Sequence, residues 1–247
     1  MIAIRQLHKR FGHVEAVRQV SFDAADGFVT GLLGPNGAGK TTTLRMLSGL
    51  MRPDGGEIRA DDYDVIAQPI AAQGVMGLLP DSRGLYPRMT AREHIRYFGE
   101  LRGLSGAELQ ARTERLVRRL GLDAIADRRV AGFSQGERTK VALARALVHE
   151  PRNVILDEPT NGLDIMSTRA VRELVRGLRQ EGCCVVFSSH IMQEVSALCD
   201  RIVVIAQGTV VASGTPDAIR AQAGCDDLED AFVALTGLNH PDEVEQP

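Results

Sequence analysis

The 247-residue sequence has no apolar run near the ~18 residues that a membrane-spanning helix needs. It also lacks an excess of either charge. Lys and Arg number 29 against 32 Asp and Glu, and the formal net charge of −3 gives no general attraction to nucleic acid or anionic lipid. The four cysteines, Cys183, Cys184, Cys199 and Cys225, form no CxxC pair and have no histidine at zinc-ligand spacing. Buried, reduced thiols are therefore expected. The N-terminal stretch MIAIRQLHKRFG does not have the charged-then-apolar layout of a signal peptide, which predicts a chain that stays in the cytosol. Internal repeats, low-complexity segments and long heptad arrays are missing too.

What is present is an ordinary globular balance of 44% apolar and 25% charged residues, on a chain long enough for one large domain with a subdomain. Continuous apolar runs at residues 28–33, 154–156, 185–187 and 202–206 read as strands covered on both faces. The first three each lead into a polar loop and then a helical pattern. This order predicts a parallel sheet with its chemistry at the strand C-terminal ends. Residues 209–212, after Gln207 and Gly208, read as the return strand of a hairpin. Residues 90–150 are helical in pattern. Thr90 with Glu93 and Ser105 with Glu108 form two capping-box sequences, and Leu109, Leu116, Val117 and Leu120 mark an apolar stripe. The expected organisation is a single domain over 1–240. It comprises an α/β core (1–80 and 151–225), an inserted helical subdomain (81–150) and a disordered acidic tail (241–247).

Gly34, Pro35, Asn36, Gly37, Ala38, Gly39, Lys40 and Thr41 fit GxxxxGK[ST] between a strand and a helical pattern that Thr42 enters. In that setting glycines let backbone N–H groups close around phosphates, and the helix N-terminus adds its positive dipole. Lys40 would reach the β- and γ-phosphates, and the Thr41 hydroxyl would coordinate Mg²⁺. Asp157 ends a second apolar run and can hold Mg²⁺ through water, while Glu158, one residue on, is placed to polarise an attacking water. These two motifs leave kinases, GTPases and other ATPases open.

Phe133, Ser134, Gln135, Gly136 and Glu137 narrow the choice. They can be a capping box that opens the next helix, and they also resemble the signature of ABC ATPases, usually LSGGQ. The order of the remaining segments follows the same family. Pro159 to Asp164 resembles its D-loop, Ser188-Ser189-His190 its switch histidine, and Arg10-Phe11-Gly12 the aromatic loop that stacks on adenine. The resemblance covers about residues 2–215. Within the family, the segments at 81–86, 133–140 and 188–194 are similar to the sodium-efflux (NatA) type, and 228–236 is similar to ATPase subunits of the ABC-2 export class.

The resemblance implies a P-loop NTPase core of mixed sheet, with N-terminal antiparallel β strands and an inserted helical subdomain. It implies an ATPase with ATP and Mg²⁺ as cofactors, catalytic roles for Glu158 and His190, and adenine stacking on Phe11. It also implies a homodimer in which Ser134, Gly136, Glu137 and Asp164 contact the nucleotide of the opposite chain. A separate transmembrane permease would carry the exported cargo, Na⁺ among the candidates, and would hold this cytoplasmic chain at the cytoplasmic face of the membrane. Asp81 stands where the family usually has a glutamine that senses Mg²⁺ and couples to the permease, and is expected at the metal site beside Thr41 and Asp157; an ionised aspartate can accept a metal-bound water but cannot donate a hydrogen bond. The rival is a non-transport ABC ATPase of DNA repair or translation. The first kind usually carries a long coiled coil and the second two cassettes and a basic linker, and neither is seen here. Arg169, Arg172, Arg176 and Arg179 read as one solvated helix face, and residues 85–87 as an exposed apolar cluster.

Overall fold

In the computed structural model, which describes residues 1–237, the apolar runs become the inner strands of one sheet. The expected acidic tail lies outside the described residues. The chain begins with a long antiparallel pair, β1 (Ile2–Phe11) and β2 (Val14–Ala24), then enters the inner sheet as β3 (Val29–Leu33) and continues into α1 (Lys40–Leu47). Next come β4 (Gly55–Ala60), β5 (Tyr63–Asp64), α2 (Pro69–Gly74) and β6 (Met76–Leu79). Helices α3 (Ala91–Leu101), α4 (Gly106–Arg119) and α5 (Gln135–Leu147) follow without an intervening strand. The chain then alternates through β7 (Asn153–Asp157), α6 (Ile165–Gln180), β8 (Cys184–Ser189) and α7 (Met192–Leu198). It ends with the hairpin β9 (Arg201–Ala206) and β10 (Thr209–Gly214), then α8 (Pro216–Ala223) and α9 (Leu228–Thr236).

Two sheets result. One is antiparallel in the order β2-β1-β4-β5; the other is mixed, in the order β10-β9-β3-β8-β7-β6. In the second sheet β9, β3, β8, β7 and β6 run parallel, and only β10 is reversed. Successive strand residues point to opposite faces, and here both faces are buried. Val185 and Phe187 of β8 join one core cluster, whereas Cys184 and Val186 join the other. The same alternation divides Ile202 and Val204 from Val203 and Ile205 in β9. The first cluster packs beneath α3 to α9; the second is closed by α1 and the antiparallel sheet. Ile95, Leu109 and Leu116 of the helical block share their cluster with Val154 and Leu156 of β7, so this block has no hydrophobic core of its own. No helix among the described residues is long and apolar enough to cross a membrane.

Several local expectations need correction. Thr90 and Glu93 close a reciprocal capping box at α3. Ser105 does not close one at α4, although it is the residue before the helix. Gly106 takes a φ of +58° there, a departure from helical geometry at the first helical residue, and Glu108 pairs with Arg112 instead. Of the cysteines, Cys184 and Cys199 are buried, but Cys183 and Cys225 are half-buried. All four are free thiols, and burial pushes Cys184 up to about 12. The arginine row on α6 is more than a solvated face: Arg172 reaches the buried Glu194 at 3.6 Å and Arg179 pairs with Asp200 at 2.7 Å. In the cluster at 85–87, Leu85 packs against the core while Tyr86 stays exposed and stacks on His94 at 5.6 Å.

Candidate active site

The site forms where β3, β7 and β8 end side by side. Parallel register sets Leu33 against Ser189 and Asp157 against Ser188, so three consecutive loops open at one edge. The loop after β3 lies close against β9 and β2, and two of its glycines have no room for a side chain there. A Cβ on Gly34 would lie 2.3 Å from the Ile205 carbonyl oxygen, and one on Gly39, at φ +104°, would lie 2.4 Å from that of Ala16. Gly39 is the N-cap of α1, with no side-chain cap and no acidic residue in the first turn. The positive end of this helix therefore faces the loop, an arrangement suited to an anion.

Residues 35–42 line a cleft of about 450 Å³ together with Ala16, Asp81, Glu158, Asn161 and His190. Lys40 is 6% exposed and donates to the Gly34 and Pro35 carbonyls at 2.7 and 3.1 Å, while standing 3.9 Å from Glu158. Desolvation lowers the Lys40 ammonium below the ordinary lysine range, against the pull of Glu158 and Asp157. Thr41 Oγ1 lies 3.4 Å from Asp157 Oδ1. Both donors are hard oxygens, and their separation is close to the ~3 Å edge of an octahedron with ~2.1 Å bonds, so the pair fits Mg²⁺. No group of three or more His, Cys, Asp or Glu side chains among the described residues is arranged to hold a metal. The remaining ligands of such an ion would come from phosphate oxygens and water. Asp81 lines the cleft, but no hydrogen bond joins its carboxylate to Thr41 or Asp157; its nearest charged influence is on Arg83.

Glu158 is held from several sides. Its φ is +46°, a left-handed conformation that a non-glycine residue adopts at a cost of roughly 1–2 kcal/mol. Its N–H donates to Ser188 Oγ at 2.9 Å, and Ser188 Oγ in turn donates to Asp157 Oδ1 at 2.7 Å. Its carbonyl accepts from Arg83 Nη2 at 3.2 Å and from Asn161 N at 3.3 Å. Its carboxylate, 12% exposed, meets His190 Nδ1 at 2.9 Å. One hydroxyl thus bridges the two adjacent acids. Neither Ser188 nor Arg83 received a role from sequence reasoning. A serine inside an otherwise apolar strand end was a usable signal for Ser188, and nothing local marked Arg83.

The other predicted residues lie apart from the cleft. Phe11 ends β1 and is 47% exposed, with Lys9 over its ring at 5.6 Å, so it is not core. Ser134 is the exposed N-cap of α5 and closes the capping box with Glu137. The Glu137 carboxylate is thereby occupied within its own chain. Gly136 is buried against Ser167, where a Cβ would lie 2.3 Å from the hydroxyl. Asp164 caps α6 by accepting from Ser167, and those bonds hold its carboxyl below the usual range. Gln135 donates to the Asn161 carbonyl at 2.8 Å and so ties the start of α5 to the loop after Glu158.

Comparison with known proteins agrees with this geometry. A family model described as "ABC transporter" matches residues 17–161. The chain is 44% identical to the ABC transporter ATP-binding protein NatA of Bacillus subtilis, over 95% of this chain and 97% of that protein. It is 35% identical to the linearmycin resistance ATP-binding protein LnrL of the same organism, over 99% and 81% of the two chains. A solved structure of an ATP-binding subunit of an ABC transporter superposes with a TM-score of 0.89 at 32% identity, covering 96% of this chain and 99% of that one. A dimeric cassette, MJ0796 bound to ADP and Pi, shares the fold at a TM-score of 0.80 and 23% identity, over 87% and 98% of the two chains. On sequence and on structure alike, the chain belongs to the ATP-binding subunits of ABC transporters, a family of ATPases whose cofactors are ATP and Mg²⁺.

Proposed function

We propose that this ATPase drives export through a separate membrane permease, working as a head-to-tail dimer on the cytoplasmic face of the membrane. The observation that carries the reading is the convergence of Lys40, Thr41, Asp157, Glu158 and His190 on one cleft, while Ser134 stays exposed at a helix N-terminus outside it. One chain alone therefore offers a phosphate cradle and, elsewhere, an unoccupied surface for a second chain's phosphate.

In this reading residues 35–42 and the α1 N-terminus bind the phosphates, and Lys40 exchanges its Gly34 and Pro35 carbonyls for phosphate oxygens. Mg²⁺, held by Thr41 and Asp157, would neutralise charge developing on the leaving phosphate. Glu158 takes the proton of the attacking water, and His190 holds the carboxylate in place and faces the γ-phosphate. Phe11 lends its exposed ring to the adenine. Across the dimer joint, Ser134, Gly136, Glu137 and Asp164 face the partner's nucleotide.

Na⁺ is the cargo favoured by the similarity of 81–86, 133–140 and 188–194 to the sodium-efflux type. Export of a small organic molecule is the second reading, since a linearmycin-resistance subunit is also among the relatives. The helices between β6 and β7 have 11, 14 and 13 residues, too short for coiled-coil arms that grip DNA. Co-reconstitution with the permease in vesicles tests the proposal: ATP supplied on the side of the membrane that carries this chain should drive Na⁺ across it, and hydrolysis should rise when permease is added. Flux of an organic substrate without Na⁺ movement would decide for the second reading; hydrolysis indifferent to any membrane partner would remove the transport role. Asp81→Ala should lower the permease-stimulated rate and leave ATP affinity of the isolated chain unchanged.

A further inference from the structure

Arg83 sits in the loop between β6 and α3 and uses one guanidinium to join three separate parts of the molecule. Its Nε donates to Thr139 Oγ1 on α5 at 3.2 Å. Its Nη1 donates to the Pro80 and Asp81 carbonyls, both at 2.8 Å. Its Nη2 donates to the Glu158 carbonyl at 3.2 Å. Thr139 is fully buried and lies one turn into the helix that Ser134 caps. Among the residues that line the cleft, Glu158 alone holds a left-handed backbone without being glycine.

From this geometry we infer that Arg83 is a positioning residue for hydrolysis. It fixes the backbone of Glu158 and locks that backbone to the start of α5, so that Glu158 is aligned only when the Asp81 loop and α5 are seated. A strained φ persists only where its surroundings over-determine it. The backbone of Glu158 is held by Ser188 on its N–H and by Asn161 and Arg83 on its carbonyl, and its carboxylate by His190 and, at 3.9 Å, Lys40. Arg83 carries its own bond into α5 at Thr139, one turn inside the helix, whereas Asn161 meets α5 only through the Gln135 side chain at the helix start. Movement of α5 or of the Asp81 loop is therefore transmitted to the carboxylate through a rigid, planar fork. Lysine carries the same charge but cannot make these four bonds at fixed angles. No hydrogen bond or ion pair joins Arg83 to residues 35–42, so the inference predicts an effect on turnover and not on nucleotide affinity.

This rests on Glu158 acting as the proton acceptor, and the experiment separates the two. Steady-state ATP hydrolysis by the full chain should show Arg83→Lys lowering kcat about 10–100-fold, the scale of a misplaced catalytic group, with KM for ATP nearly unchanged. Millimolar guanidinium should restore part of the rate to Arg83→Ala and none to wild type. In single-turnover assays, Arg83→Lys placed in a Glu158→Gln background should cause little further loss, because both changes remove the same contribution. Thr139→Val, which removes one of the four bonds, should give a smaller kcat loss that does not add to that of Arg83→Lys; it carries the test if the Arg83 variants do not fold. Wild-type kcat in Arg83→Lys and Thr139→Val, a raised KM at unchanged kcat, or full additivity with Glu158→Gln would overturn the inference while leaving Glu158 in its role. Near-normal hydrolysis by Glu158→Gln alone would remove that role, and the inference with it.

Discussion

His190 Nδ1 lies 2.9 Å from Glu158 Oε2, and the two residues come from the ends of different strands. A carboxylate only accepts, so Nδ1 is the donor in this contact. Two consequences differ in kind. Glu158→Gln should keep ATP binding and lose most turnover, since a positioned general base contributes roughly 10²–10⁴-fold. His190→Ala should lose turnover as well, and His190→Gln, which can still donate to Glu158, should recover some of it. A single-turnover assay reads both. Near-normal hydrolysis by Glu158→Gln would take proton abstraction away from this carboxylate.

Lys40 and Gly39 should fail at an earlier step. Lys40→Ala removes the ammonium that now bonds the Gly34 and Pro35 carbonyls, so ATP affinity itself should fall. Gly39→Ala puts a methyl group 2.4 Å from the Ala16 carbonyl oxygen at a φ of +104°, which forces the loop off β2. Titration with a fluorescent ATP analogue should show weakened binding in both variants, with β1 and β2 still folded by hydrogen exchange. Unchanged affinity in Lys40→Ala would count against the phosphate cradle.

Ser134 is the exposed element of the segment that opens α5, whereas Gly136 is packed against Ser167. If Ser134 meets the partner's phosphate, Glu158→Gln with ATP should drive monomers into a closed dimer, because ATP then binds the dimer preferentially. Ser134→Arg should abolish that dimer and leave ATP binding at Lys40 intact. Sedimentation velocity reports the outcome. A Glu158→Gln protein that stays monomeric at saturating ATP, with a Ser134→Arg variant that hydrolyses normally, would reduce the segment to its capping box.

His149 makes acid sensitivity a property of the fold. It lies just past the C-cap of α5, and Nε2 contacts the Met76 carbonyl at 3.0 Å. Desolvation, helped by Arg102 and Arg112, lowers its pKa from 6.5 to about 4. The folded state therefore resists a proton that the unfolded chain accepts. Between pH 6.5 and about 4 the unfolded chain binds more protons, so stability is fully present above 6.5 and falls as pH drops through that window. The span corresponds to about 3 kcal/mol at most. Urea midpoints measured at several pH values should decline over that range, and the decline should be shallower in His149→Gln. Equal slopes in the two proteins would exclude His149 as the cause.

Much of this architecture follows from local chemistry. The four apolar runs are strands because β-branched and other apolar residues suit a sheet buried on both faces, and each run supplies an inner strand, with Phe28 alone falling just before β3. Gly34 to Thr41 is legible as a phosphate loop because its glycines answer a backbone need that no other residue meets. The Thr90 and Ser134 boxes close as their spacing predicts. The Ser105 box fails because Gly106 departs from helical geometry, a departure that spacing alone does not reveal.

Residue types and order were enough to name Lys40, Thr41, Asp157, Glu158 and His190, since each follows a strand end and carries a group suited to phosphate, metal or proton. Their assembly was decided by the parallel register of β3, β8 and β7, which is a long-range choice made by burial on both faces of the sheet. Only the tertiary structure could assign Ser188 to both acids, Arg83 to the Glu158 carbonyl, Arg172 to the buried Glu194, and Gly136 to a packed position beside Ser167. Those partners are separated from one another by tens of residues or lie on different elements. A hydrogen bond between such groups depends on where helices and strands pack, and no local pattern of residues encodes it.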